Sequence, residues 1–257
     1  MTLPDEKDGS IDRLTHGTLP ERVYGHLRDM IVRGRIAPST RVLEGNVSLR
    51  YGVSRTPVRE AMARLLQEGF LTPLTGGRRT ELVVAPLSVD SVRELWSLIG
   101  ALEGHAVRSI DNLTESERLS LATDLEDLNI KLCRASSARP RDPDRLFELQ
   151  AAFHQRFIDE TAGPRLLNIY ATLRPQVQRY EWAYGTRLDA EYEPSSREHL
   201  RIISAIKSGD GAKARDAVET HWKRAAERTV AIIDQIVSRP APRRKERSRS
   251  PSRKHST

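Results

Sequence analysis

The chain of 257 residues contains one cysteine, Cys133. A single thiol excludes an internal disulfide framework and fits a reducing compartment. Cys133 is expected to be an inert helix residue. Aromatic residues make up only 5% of the chain, and long β-branched alternations are scarce, which argues against an all-β fold. No run approaches the roughly 20 apolar residues that a membrane span needs. The N-terminal stretch MTLPDEKDGSIDRL has no apolar signal core, so a cytoplasmic protein is expected, with no membrane partner. Also missing are a phosphate-cradling glycine loop, a nucleophile motif and a pair of catalytic carboxylates. What is present is a 38% apolar content, modest but enough for packed helices. The length allows one large domain or two ordinary ones.

The net charge of +7 is unevenly spread. Residues 19–86 hold eleven arginines against six acidic groups. Residues 239–257 carry eight basic groups against Glu246. Residues 87–238 are slightly acidic, with 21 basic and 24 acidic groups. Positive potential is thus concentrated at one end and in the tail, which suits a nucleic-acid partner better than a high pI alone would.

The stretch LEGNVSLRYGVSRTPVREAMARLLQEGFL, Leu43 to Leu71, organises the rest. Two short helical patterns flank a turn at Tyr51-Gly52-Val53. Ser54 offers an N-cap oxygen, and Pro57 sits in the first turn, where a missing N–H costs nothing. Val58, Met62, Leu65 and Leu66 mark a buried face. Arg55, Thr56 and Arg59 project from the helix start, with Arg64 further along. This is the arrangement of a helix-turn-helix: apolar residues dock the recognition helix and polar residues at its start reach bases and phosphates. Arginine pairs bidentately with guanine or phosphate.

The run GVSRTPVREAMARLLQEGFL resembles the signature of the GntR family of bacterial transcription regulators. The resemblance implies a winged helix-turn-helix that binds operator DNA through Ser54, Arg55, Thr56 and Arg59. Upstream, Thr18-Leu-Pro-Glu21 starts a first helix with Val23, Leu27, Met30 and Ile31 on its apolar face, ended by Gly34. Residues 35–42 then read as a loop. In the family this loop bears a Pro-Gly turn and a basic residue near the backbone. Here it is Pro38-Ser39-Thr40-Arg41, so Arg41 is a candidate phosphate contact. An arginine that such regulators place early in the second helix is replaced by Gly45. Two short strands around Gly76-Gly77 would form the wing, with Gly77, Arg78 and Arg79 at its tip. Pro86 and Ser88 mark the domain boundary.

From Ser88 to Arg239 the pattern is almost wholly helical. Val92, Leu95, Ile99, Leu102 and Ala106 form one stripe, and Leu119, Leu121, Leu125, Leu128 and Leu132 support a second helix. Helices follow at about 144–161, 164–187, 194–208 and 211–238. The fold class expected is mainly α: a winged helix-turn-helix plus an antiparallel all-helical bundle. The expected domains are a tail at 1–18, the DNA-binding unit at 19–86, an effector-binding and dimerisation unit at 87–238, and a basic tail at 239–257. Residues 240–257, PAPRRKERSRSPSRKHST, are low-complexity and cannot form a core.

His154, His199 and His221 fall on three helices, each one turn from apolar residues. Spacing alone makes a shared metal a minority reading, because scattered helical histidines usually pack or face solvent. The segments LWSLIGALEGHAV, AFHQRFIDETAGPRLL and EHLRIISAIKSGDGAKARDAVETHW resemble the FCD ligand-binding domain of the FadR-type branch. The resemblance implies a helical bundle around a cavity. In many members one aspartate and three histidines hold a divalent metal (Zn, Ni or Mn) beside a small carboxylate. His154, His199 and His221 match the histidines, but the aspartate's position is Gln150, a neutral and weaker oxygen donor. Ile99 stands where many members carry an arginine. Both departures count against a simple organic-acid effector.

The function expected is a homodimeric, effector-controlled regulator, a repressor, reading a palindromic operator. Two alternatives stay open: a three-histidine metal hydrolase fused to a DNA-binding module, and a sequence-independent DNA-binding protein relying on its tail. A hydrolase needs an open metal position and a nearby base; Glu198 and Glu219 adjoin the histidines, but neither makes a convincing base.

Overall fold

The computed structural model describes residues 17–74, 81–185 and 192–237. Gly77, Arg78, Arg79 and the basic tail lie outside the described residues.

The N-terminal unit opens with α1 (Leu19–Val32). Its first turn is fixed by the Glu21 carboxylate, which accepts the Thr18 backbone N–H at 2.7 Å. Val23, Leu27, Met30 and Ile31 are all buried, as their spacing requires. The stretch read as a loop contains a strand, β1 (Arg41–Val42). Two residues are too few to show a period, and β1 exists only because β3 lies beside it. Next come α2 (Glu44–Tyr51) and α3 (Arg55–Gln67). The turn between them needs Gly52, which takes a left-handed φ of 65° at no steric cost. Ser54 occupies the N-cap with extended backbone, but its side chain makes no capping bond. Val58, Met62 and Leu65 are buried, whereas Leu66 is 38% exposed. The buried stripe runs through Ala61 instead, one position round the helix. After α3 come β2 (Leu71–Pro73) and β3 (Leu82–Val84). Strand order is β1-β3-β2, antiparallel throughout, with Leu71 opposite Val84 and Arg41 opposite Val83.

The C-terminal unit is α4 (Val89–Val107), α5 (Glu115–Ser137), α6 (Pro143–Thr161), α7 (Pro164–Gly185), α8 (Tyr192–Ser208) and α9 (Gly211–Val237). A short 3-10 turn, Arg108–Asn112, follows α4. Ser88 caps α4 by accepting the Ser91 N–H at 3.1 Å. Thr114 and Glu117 form a capping box on α5, and Asp142 with Pro143 starts α6, so each helix begins where a cap is encoded. The inward stripe of α4 is Val92, Trp96, Ile99, Glu103 and Val107; Leu95 and Leu102 are half-buried. On α5, Leu119 is 45% exposed and Asn129 is buried. In both helices a polar residue holds a central place that the apolar count assigned to a leucine.

The two units touch along α7. Gln176 Nε2 donates to the Glu68 carbonyl at 2.7 Å, just past α3. The Arg179 guanidinium donates to the Ala85 carbonyl, and the Ser88 N–H donates to the Tyr180 hydroxyl at 3.2 Å. Phe147 and Trp182 pack against the core of the N-terminal unit. Arg33 lies 5.4 Å from the Trp182 ring centroid and 3.5 Å from Asp144.

Candidate operator interface and candidate metal centre

At the start of α3, Ser54, Arg55 and Thr56 are all exposed. Burial of Pro57 and Val58 directly behind them turns this end outward. Arg59, one turn on, is 69% exposed and pairs with Glu44 through two nitrogens, at 3.3 and 3.2 Å. An exposed pair of this kind adds little stability, but it ties the Arg59 guanidinium to α2 through Glu44. Arg64 has a different place. It stacks 3.8 Å over the Tyr24 ring centroid and pairs with Glu68 at 2.8 Å, so it joins α3 to α1. Arg41 leaves β1 and meets Glu81 at 3.0 Å, with 61% of its side chain exposed. Gly45 is exposed, with open space where a side chain would be.

The three histidines converge. His154 of α6, His199 of α8 and His221 of α9 are at most 1% exposed, and their ligating nitrogens lie within 4.8 Å of one another. Each Nδ1 faces an acceptor on another element. His154 Nδ1 is 2.8 Å from Glu103 Oε2. His199 Nδ1 is 3.2 Å from Asn129 Oδ1, and His221 Nδ1 is 2.9 Å from Glu198 Oε2. These acceptors favour the tautomer with the proton on Nδ1, which leaves the Nε2 lone pair free in His199 and His221, while His154 Nε2 faces the Gln150 amide nitrogen. His199 Nε2 and His221 Nε2 are buried with no partner among the described residues. Burial lowers the pKa of both His199 and His221, because a dry site penalises the charged ring. A neutral imidazole with a free Nε2 is the metal-binding form.

Gln150 lies one turn before His154 on α6. Its Nε2 is 3.4 Å from His154 Nε2, and its Oε1 is buried without a partner among the described residues. It is the amide nitrogen, a hydrogen-bond donor, that faces His154 Nε2.

Glu103 is the hub behind the site. It is fully buried and accepts from His154 Nδ1, from Trp222 Nε1 at 2.7 Å and from the Tyr170 hydroxyl at 3.0 Å. Burial pushes its pKa up, but His154, Arg174 and Trp222 outweigh that and hold it low. Glu198 behaves alike: against its burial, His221 and Arg228 bring it down to about 2. Arg228 holds Glu198 with two nitrogens, at 3.0 and 3.1 Å. Two of the three imidazoles therefore donate to carboxylates, which fixes the orientation of their rings. Sequence reasoning missed Glu103 and Asn129 and considered Glu198 only as a base. The one available signal was a charged residue inside the apolar stripe of α4.

Beside His221 and Gln150 lies a cavity of about 190 Å³, walled by Trp96, Phe147, Tyr180, Trp182 and Trp222. Ile99 is fully buried in the core.

A winged helix-turn-helix joined to a helical bundle around a buried polar cluster defines a class: a DNA-binding regulator with a ligand-binding domain. Comparison with known proteins gives the family. Residues 19–79 match the bacterial regulatory proteins of the gntR family, and residues 94–224 match the FCD domain. The chain is 30% identical over 210 residues to the HTH-type transcriptional repressor RspR of Escherichia coli (strain K12), spanning 80% of this chain and 87% of that protein. It is 25% identical over 213 residues to the HTH-type transcriptional regulator YdhC of Bacillus subtilis (strain 168), spanning 82% and 91%. In fold it matches E. coli McbR/YncC with a TM-score of 0.66 at 20% identity, over 87% of this chain and all of that one. The chain belongs to the GntR family of transcription regulators, with an FCD effector-binding domain. It is a DNA-binding regulator and not an enzyme. No helix among the described residues is long and apolar enough to cross a membrane.

Proposed function

We propose that the chain is a cytoplasmic, homodimeric repressor that reads a palindromic operator and answers to an effector bound beside the histidine cluster. Residues 19–86 are the DNA-reading unit and residues 87–238 the effector and dimerisation unit, with tails at 1–18 and 239–257. Ser54, Arg55, Thr56 and Arg59 contact base edges. Arg41, Gly77, Arg78 and Arg79 follow the backbone. His154, His199, His221 and Gln150 hold a divalent metal. Three neutral imidazoles and an amide leave the ion's full charge on the site, and the anionic Glu103 and Glu198 behind the rings offset the missing aspartate. A divalent ion there supplies a positive centre for an effector oxygen.

One observation carries the regulatory reading. Phe147 and Trp182 wall the cavity and also pack on the DNA-reading unit. An effector that presses on this wall alters the seat of the recognition helix directly, which is coupling between sites. Selection of genomic fragments with the purified chain at physiological salt tests the reading. A few sites sharing an inverted repeat are expected. Uniform retention without a common motif would leave only charge-driven binding.

A further inference from the structure

All three tryptophans of the chain, Trp96, Trp182 and Trp222, line the one cavity next to the histidines. They come from α4, α7 and α9, and Phe147 and Tyr180 close the ring of aromatic walls. Five aromatic faces around about 190 Å³ are a dense π lining in a chain that is 5% aromatic. A dry apolar cavity of roughly 150 Å³ takes benzene, so this one admits a single six-membered ring with small substituents. Flat rings stack on such walls or meet them edge-on.

The polar groups at the cavity narrow the choice. Trp182 Nε1 is a buried donor with no acceptor among the described residues. Gln150 Oε1 and His221 Nε2 are buried acceptors equally without partners there. The proposed metal takes Gln150 Oε1 and His221 Nε2, and an apolar guest would leave Trp182 Nε1 unmet, at a cost. An oxygen substituent on the ring answers it by accepting from Trp182 Nε1. Arg141 and Arg228 also line the cavity, and Arg228 is engaged by Glu198 with two nitrogens.

We infer that the effector is a single-ring aromatic compound bearing oxygen, a phenol, catechol or hydroxylated benzoate, seated between the tryptophans with Trp182 Nε1 donating to it. This rests on the effector-site reading above.

The test uses the full chain and isothermal calorimetry with phenol, catechol, benzoate and 4-hydroxybenzoate, and with cyclohexanecarboxylate and citrate as non-aromatic probes. At least one aromatic probe should bind saturably and tenfold or more tighter than both non-aromatic ones. Trp182→Phe keeps the ring and removes the N–H, and should weaken that probe at least fivefold with the melting temperature retained. Citrate or cyclohexanecarboxylate binding as tightly as every aromatic probe, no aromatic binding, or an unchanged affinity in Trp182→Phe would each overturn the assignment. Ala225→Trp, which fills the cavity from α9, separates the two levels. If the aromatic probes fail but this natively folded variant shifts operator affinity several-fold, only the ligand class falls. If both are inert, the effector site falls with it.

Discussion

Replacing Glu103 by Gln isolates the electrostatic part of the proposed metal site. The amide has the shape of the carboxylate. Its oxygen can still accept from His154 Nδ1 and Trp222 Nε1, which both use Oε2 in the native chain. Its amino group can donate to the Tyr170 hydroxyl, which donates to Oε1 in the native chain. Hydrogen bonds are conserved in number while the buried negative charge behind His154 disappears. Loss of a carboxylate partner to a ligating histidine weakens metal binding roughly 10- to 100-fold. At free metal about 100 times the native Kd, the ion stabilises the fold by about 2.7 kcal/mol. In the variant at the same concentration, that stabilisation drops to about 0.4–1.4 kcal/mol. The assay pairs competition against a chromogenic zinc indicator with thermal melts in zinc and in chelator. The zinc-dependent gain in Tm should shrink by several degrees while the apo melt changes much less. A zinc Kd within twofold of native, in a variant with native circular dichroism, would refute the idea that Glu103 tunes a metal ligand. It would leave Glu103 as a packing anion of the core.

Other outcomes follow from the same geometry. Arg55→Ala and Arg59→Ala should each weaken operator binding by roughly ten- to hundredfold with unchanged melting; retained affinity in both, in a fluorescence anisotropy titration, would refute the recognition-helix assignment. Gln150→Asp puts an anionic oxygen donor on the same turn of α6, and should tighten zinc about tenfold or more in the same competition assay. Deleting residues 240–257 should flatten the salt dependence of binding to random DNA, since each lost phosphate contact removes about 0.9 from the log–log slope; an unchanged slope would make the tail irrelevant to DNA.

Local signals carried much of the fold into view. Thr18, Ser88 and Thr114 sit at helix starts because capping oxygens are a short-range need. Gly52 marks its turn because few other residues adopt that backbone cheaply. The three histidines stood out by their place one turn from apolar residues and the resemblance made them a metal set, but their convergence is a property of the bundle. What stayed hidden is long-range. Asn129 and Glu103 are buried for the sake of His199 and His154, which lie 70 and 51 positions away. A period of apolar residues assigns such places to neighbours like Leu102 or Leu128. Strand β1 exists by pairing with a segment some 40 residues later. The tryptophan-walled cavity joins residues of α4, α7 and α9 that share no local pattern.

The bond from Gln176 to the Glu68 carbonyl gives the recognition helix a fulcrum. Thirteen residues from Arg55 to Gln67 span about 20 Å at 1.5 Å per residue. The tether is at one end of this rod, and Ser54, Arg55 and Thr56 are at the other. A tilt of only about 10° at the tethered end swings the reading end by about 3.4 Å, one base step along the duplex. A shift of α7 too small to repack the bundle is thus long enough, at the far end of α3, to put every base contact out of register.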